Sequence, residues 1–311
     1  MIMRRVTNKH IKAFAAVLMI MASGMALNAQ TLPSLLLDQD PVAISSGMAS
    51  VASEADAYAL QNNVAAISLS EQTMSADVGI ALLQPSYAKL KMAGVGAMYR
   101  FGKLGVGLDL KMLMMPSYGG VTGGGADIRD SEFSPSELSF SAGVSYALMD
   151  CLSAGATLRY VGSKLSPDAS AGVFGADVAV YFKKNGIRAG LSVNNIGTKV
   201  KYSETAYPQP MMAKVGAGYD LELGTSSLAF NAEADVLFAG GLMAGAGCEY
   251  SFKDMAFVRA GYHYGNSTNA VPSFASAGIG VKLFGVNLDL AYMFASEVLA
   301  NSMCVSLGYS F

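Results

Sequence analysis

Past its first thirty residues the chain has one histidine, His263, in "RAGYHYG". A histidine-based metal centre or a Ser-His-Asp triad needs more partners than that. Two carboxylate pairs stand at alternate positions, Asp220 with Glu222 and Glu233 with Asp235. Paired carboxylates can do general acid–base work. No spacing singles out one pair, and Lys214, Arg259 and Lys282 supply the opposite charges of an ordinary ion-pair network. Cys151, Cys248 and Cys304 are odd in number and far apart, which is no disulfide framework. The G-x-G triplets at Gly94/Gly96, Gly105/Gly107, Gly216/Gly218, Gly245/Gly247 and Gly278/Gly280 lack the G-K-[ST] and the strand-to-helix setting of a phosphate loop. The chain is therefore read as a non-enzyme with no catalytic residue, metal or cofactor.

The elements that carry these residues follow from composition. Of 311 residues, 52% are hydrophobic and 14% charged, against about 25% charged in soluble domains. Yet after the first thirty residues no stretch supplies the ~18 apolar residues of a spanning helix. A membrane β-barrel reconciles the two. Period-two runs occupy 72–84, 89–101, 104–114, 137–149, 152–163, 171–183, 186–195, 211–223, 227–238, 242–252, 256–264, 274–284, 286–294 and 302–311. Most have the length of a tilted strand crossing a bilayer. With the apolar face outward, Asp77, Asp109, Lys111, Arg159, Asp177, Arg188, Lys214, Asp220, Glu233, Glu249, Arg259, Lys282 and Asp289 turn inward. A basic side chain facing lipid at mid-depth costs about 2–4 kcal/mol, which explains that sorting.

Tight connections at 102–103, 150–151, 184–185, 224–226, 253–255 and 285 alternate with mostly longer ones, the outer links at 85–88 and 239–241 being short. That alternation fits short periplasmic turns and long outer loops. The last run ends on Tyr309 and Phe311. It must pair with the run at 72–84, because an unpaired edge in lipid leaves costly backbone groups. The terminal aromatics resemble the signal read by outer-membrane insertion machinery. Tyr and Phe must form the aromatic girdles, since Trp is absent.

Arg4, Arg5, Lys9 and Lys12 precede the apolar stretch "AFAAVLMIMASGMAL", the pattern of a secretory leader cut after Ala29. Removing residues 1–29 leaves 17 basic and 23 acidic residues, which argues against a nucleic-acid partner. Residues 30–71 form an irregular segment with a helix expected over Glu54–Leu60, capped by Ser53 with Asp56 three residues on. Residues 72–311 form the barrel. Its outer loops carry Tyr118, Asp127, Phe133, Tyr202, Tyr207 and Pro208. Aromatic, Pro-containing loops on a rigid scaffold are where partners bind.

The stretch "SGMASVASEADAYALQNNVAAIS" (46–68) resembles the N-terminal motif of PorV/PorQ-like proteins, a branch of the FadL-type outer-membrane barrels. Asp56, Ala57, Tyr58 and Ala59 fit its D-A-x-A-x core. Asn63, Ala65 and Ala66 fit its N-P-A-A end, with Val64 where the family has proline. "SVNNIGTKVKY" (192–202) and "VRAGYHYG" (258–265) match two later stretches. The resemblance implies an all-β, fourteen-stranded transmembrane antiparallel barrel with the N-terminal segment inserted as a plug or hatch. It also implies a role in type IX secretion, binding or shuttling secreted partner proteins. FadL-type relatives imply an alternative, uptake of small hydrophobic molecules across the outer membrane. The small and charged inward residues favour the first; Met212, Met243 and Met293 keep the second open. A purely structural barrel is a third reading.

Overall fold

The computed structural model describes residues 32–83, 89–119, 132–202, 204–265, 270–296 and 299–311. The leader and Asp127 lie outside the described residues. Fourteen antiparallel strands close on themselves. They are β1 Met74–Leu83, β2 Leu90–Phe101, β3 Leu104–Met114, β4 Ser136–Met149, β5 Leu152–Ser166, β6 Ala169–Lys184 and β7 Ile187–Gly197. The second half comprises β8 Met212–Glu222, β9 Ser226–Leu237, β10 Leu242–Phe252, β11 Ala256–Gly265, β12 Phe274–Leu283, β13 Val286–Phe294 and β14 Ser302–Ser310. Each strand pairs with its sequence neighbours, and β14 returns to β1 through Ser75↔Ser310 to Leu82↔Met303.

The apolar face is the outer one. Leu158, Phe174 and Ile279 are more than half exposed, as side chains meant for lipid are. Asp77, Asp109, Lys111, Arg159, Asp177, Arg188, Glu233, Arg259 and Asp289 are buried in the lumen. No helix among the described residues is long and apolar enough to cross a membrane; the strands do that work. Phe311 extends the closure beyond β14, since its carbonyl accepts from Thr73 N and Met74 N at 2.7 and 3.0 Å.

Residues 32–70 fill the lumen. Helix α1, Pro41–Ser45, starts under an Asp40 cap that accepts from Val42 N at 2.8 Å. Helix α2 is a single turn at Ala59–Asn62, followed by a 3-10 stretch at Val64–Leu69. The helix expected over Glu54–Leu60 is thus displaced towards the C-terminus. Asp56 does not complete a capping box. It accepts from Tyr58 N at 2.8 Å and folds its own backbone into a turn, and Ser53 Oγ donates back to Ala49 O. Wall contacts, not helical propensity, fix this stretch: the Ala57 carbonyl sits against Gly96.

Candidate functional site

The plug descends from the long-loop end to the tight-turn end. At the top, Ser34 N donates to Glu137 Oε2 at 3.1 Å, and Leu32 and Leu35 pack with Val161, Val173, Val200 and Tyr202. Below them Lys111 Nζ donates to Leu37 O at 3.1 Å, and Gln39 and Gln61 donate to Asp109 Oδ2. Across the lumen Glu233 Oε2 accepts from Ser50 N and Val51 N at 2.7 and 2.6 Å while its other oxygen takes Lys214. Arg188 donates to Ala52 O at 2.6 Å and pairs with Asp220. Ser153 Oγ and Ser276 Oγ donate to the carbonyls of Ala65 and Ser45. Every such bond joins a plug group to a strand far away in sequence, so the plug is tied to the wall all round.

Glycine makes the approach possible. A Cβ on Gly190 would stand 1.9 Å from Val51 O, and one on Gly261 2.2 Å from Gly47 N. Of the G-x-G positions, Gly96, Gly245 and Gly247 seat plug backbone (Ala57 O, Gly47 O and Ser46 O), while Gly94, Gly107 and Gly278 meet the plug side chains Gln39, Leu60 and Ser45.

The motif residues serve this docking. Ala57 and Tyr58 are buried, and the Tyr58 hydroxyl lies against Gly79. Asn63 Nδ2 donates to Val51 O and to Val180 O on β6, while its Oδ1 accepts from Ala65 N. Burial raises Asp56 to about 7, with the Asp77 charge adding to the effect. Burial likewise raises Asp40, helped by Asp56 and Asp38.

The two ends differ chemically. Beneath the long loops an apolar layer fills the lumen, including Ile44, Leu83, Met92, Leu113, Phe274 and Leu299. Met212, Met243 and Met293 belong to it. A void of about 40 Å³ lies between plug and wall beside Leu37, Lys111, Arg159, Met212 and Met243, room for a few water molecules at most. Beneath the plug, at the tight-turn end, lies a polar cavity of about 790 Å³. His263 is buried against Phe274 on the wall and has no ligating neighbours: no cluster among the described residues could hold a metal.

The loop residues divide. Tyr118 and Phe133 are opposed in a short ribbon, Tyr118–Gly119 with Glu132–Phe133. Tyr202 and Tyr207 stand on a hairpin, Val200–Tyr202 with Thr205–Tyr207. Tyr202 is buried and donates to Ser163 Oγ at 2.6 Å, folding the hairpin onto the start of the plug. Tyr207 and Pro208 are half-buried beside it. Gln209, which no sequence pattern marks, is buried and donates to Phe174 O and Thr198 O. At the opposite rim Tyr309 and Phe311 are exposed on the outer face with rings 6.0 Å apart.

A family model described as type IX secretion system protein PorV matches residues 25–239, more than half of the chain. The chain belongs to the PorV family. Solved structures share the fold of this PorV-family barrel. The toluene transporter TbuX of Ralstonia pickettii is 14% identical with a TM-score of 0.61, over 87% of this chain and 97% of the transporter. The Pseudomonas putida toluene transporter TodX is 12% identical with a TM-score of 0.59, over 92% and 98%. A Pseudomonas aeruginosa FadL homologue is 12% identical with a TM-score of 0.53, over 89% and 99%. No curated protein matches the chain. The family and the fold together make the chain an outer-membrane barrel of a type IX secretion family.

Proposed function

We propose that this PorV-family barrel is a non-enzymatic outer-membrane component of type IX secretion that binds or shuttles secreted proteins on its outer loops, its lumen permanently closed. The observation that carries this reading is the plug. The void that lies between the plug segment Leu35–Asp38 and the wall measures about 40 Å³, far below the ~300 Å³ of small-molecule sites. The polar ties to Glu233, Arg188, Asp109 and Glu137 must all break before a passage opens. A polypeptide is then handled outside the lumen, where the Tyr118–Phe133 ribbon and the Thr205–Tyr207 strand stand above the wall. On the same reading residues 1–29 are a leader removed on export, residues 30–71 the plug, and Tyr309 with Phe311 the signal for insertion.

The second reading, uptake of a small hydrophobic molecule, draws on the methionine-lined apolar layer under the loops. Affinity capture of the barrel from outer membranes separates the two. Secreted proteins sharing a C-terminal domain are expected in the eluate, and lost when Tyr207 and Pro208 are replaced by Ser. An eluate without such proteins, in which a fatty acid or other apolar compound co-purifies with the barrel, would reverse the assignment.

A further inference from the structure

Alternation along the fourteen strands directs three charged side chains to the outer face, Lys91, Lys164 and Lys184, and no acidic one. All three are exposed, and none forms an ion pair among the described residues. Lys184 stands at the tight-turn end. Lys91 and Lys164 stand at the long-loop ends of β2 and β5. Charge is excluded from the lipid face elsewhere and is kept at this edge with one sign.

Strand geometry gives their depth. Lys164 lies twelve residues after Leu152, and Lys91 ten residues before Phe101. At ~3.3 Å per residue and a tilt of about 40°, these spans rise roughly 30 and 25 Å from the tight-turn rim. The apolar band of such barrels is about 25 Å tall. Both ammonium groups therefore leave the wall at the outer headgroup level, where a lysine costs little.

The register joins them. Lys91 is opposite Met114, Met114 opposite Ser136, and Ser136 opposite Lys164. Three inter-strand spacings of ~4.8 Å place the two lysines about 14 Å apart along this row. Four residues nearer mid-membrane a parallel row, Val95, Leu110, Phe140 and Tyr160, is exposed throughout. A cationic edge thus borders an apolar panel.

Independently of charge, the wall is notched between these two rows. Gly162 and Gly172 are opposite each other on β5 and β6, and both face outward. The Tyr160 ring packs on Phe174 at 5.1 Å, and its hydroxyl reaches over Gly172, where a Cβ would stand 2.4 Å from it. A hydrogen-bonding group is thereby carried from the apolar panel towards Lys164. On its other side Lys164 Nζ lies 5.9 Å from the centre of the Phe133 ring, so the loop ribbon holds the cation against the rim.

We infer that the outer face of β2–β6 binds an acylated, phosphate-bearing lipid of the outer leaflet, its headgroup phosphates taken by Lys91 and Lys164 and its acyl chains lying on Val95, Leu110, Phe140 and the Tyr160–Phe174 pair. Lysine binds phosphate as a point charge, and the Tyr160 hydroxyl donates to the same headgroup. Tyrosine suits this level because its ring is apolar and its tip polar. The assignment goes beyond the outer-loop reading and does not rest on it, because the ligand lies against the wall and not on the loops.

The test titrates the full mature barrel, delipidated in detergent, with diphosphoryl lipid A and counts bound lipid by native mass spectrometry. Saturable binding is expected, and its affinity should fall at least fivefold in the double variant Lys91→Gln, Lys164→Gln. Lys184→Gln with Lys253→Gln, the same loss of charge at the tight-turn end, should leave it unchanged. Lipid A stripped of its phosphates should bind the native barrel as weakly as the first double variant binds the intact lipid. Heat-modified gel mobility checks that each variant is a closed barrel. Equal loss in both pairs, or none in either, overturns the proposal, as does equal affinity for the lipid without phosphates. Equal affinity for the deacylated, water-soluble headgroup would assign the lysines to a free anion and overturn it too. Failure here leaves capture of secreted proteins by the outer loops untouched.

Discussion

Gly190 on β7 receives the carbonyl of Val51 so closely that a Cβ would stand 1.9 Å away. The contact is with backbone, so nothing flexible can yield. Gly190→Val should unseat residues 50–53 while leaving the barrel closed, since overpacking costs about 1–3 kcal/mol. Hydrogen exchange would report it. Amides of the plug turn should exchange faster by one to two orders of magnitude, on the order expected of that cost, with strand amides unchanged. Unaltered exchange at Ser50 and Val51 would mean the plug is seated elsewhere.

Glu233 fastens the same turn by charge. It accepts from two plug amides and pairs with Lys214 at 3.2 Å. Removing one partner of a buried pair leaves the other charge without compensation, at a cost of roughly 3–5 kcal/mol. Glu233→Ala should therefore lower the urea midpoint of the barrel refolded into lipid vesicles. The double variant with Lys214→Met should recover much of the loss. Should the double variant be as weak as the sum of the single changes, the two residues do not act as a pair.

The strands are legible because lipid and lumen impose opposite demands on alternate residues. All fourteen period-two runs are strands within a few residues of their expected ends, and the inward charges are the buried ones. The small residues of the G-x-G triplets point to something approaching the wall, and at most of them that something is the plug, its backbone at Gly96, Gly245 and Gly247 and its side chains at Gly94, Gly107 and Gly278. The path of the plug is not legible. Its fixing bonds join residues such as Ser45 and Ser276, 231 apart, and no local pattern encodes such a pairing. The helix expected at Glu54–Leu60 does not form there because Asp56 spends its side chain on a turn. The helix at Pro41–Ser45 does have a signal, Asp40 as cap with proline following. Tyr202 reads as an outward-facing loop residue because sequence alone does not show a loop folding back into its own barrel.

Tyr202 supports a third prediction. Its hydroxyl bond to Ser163 is buried, and its ring covers Leu32 and Leu35. Tyr202→Phe should cost about 1 kcal/mol, the worth of one such bond. Tyr202→Ala should cost about 3–5 kcal/mol and loosen the hairpin. Limited proteolysis in the 198–210 loop is the readout: cleavage is expected to be slow in the native protein and the Phe variant, and fast in the Ala variant. Rapid cleavage of the native loop would contradict the packing.

At the other end, the Phe311 carbonyl holds Thr73 and Met74. Deleting Phe311 removes the last bonds of the closing seam and the outermost ring of the Tyr309–Phe311 pair. Membrane yield in cells should fall several-fold, while refolding from urea into vesicles without insertion machinery should fall far less. Equal loss in both settings would make Phe311 a stabilising residue alone and not a signal.

Asp56 makes stability depend on pH in an unusual direction. Its carboxyl sits at about 7 in the folded chain against an ordinary 3.8, so the folded form holds the proton more tightly than the unfolded form. The native state is favoured most below about pH 4. That advantage is lost between pH 4 and 7 as the folded carboxyl is forced to ionise, and the loss is complete above 7. Asp40, raised by burial and by Asp56 and Asp38, acts in the same sense. Glu71, held low by Lys183, acts in the opposite sense but is exposed and weak. Hydrogen exchange of residues 54–62 should therefore quicken as pH rises from 4 to 7 beyond the intrinsic base-catalysed increase. Asp56→Asn should flatten that excess and slow exchange at pH 8, since a tenfold difference in proton affinity between the two states is worth about 1.4 kcal/mol. A variant with the same excess slope as the native protein would remove Asp56 as its source.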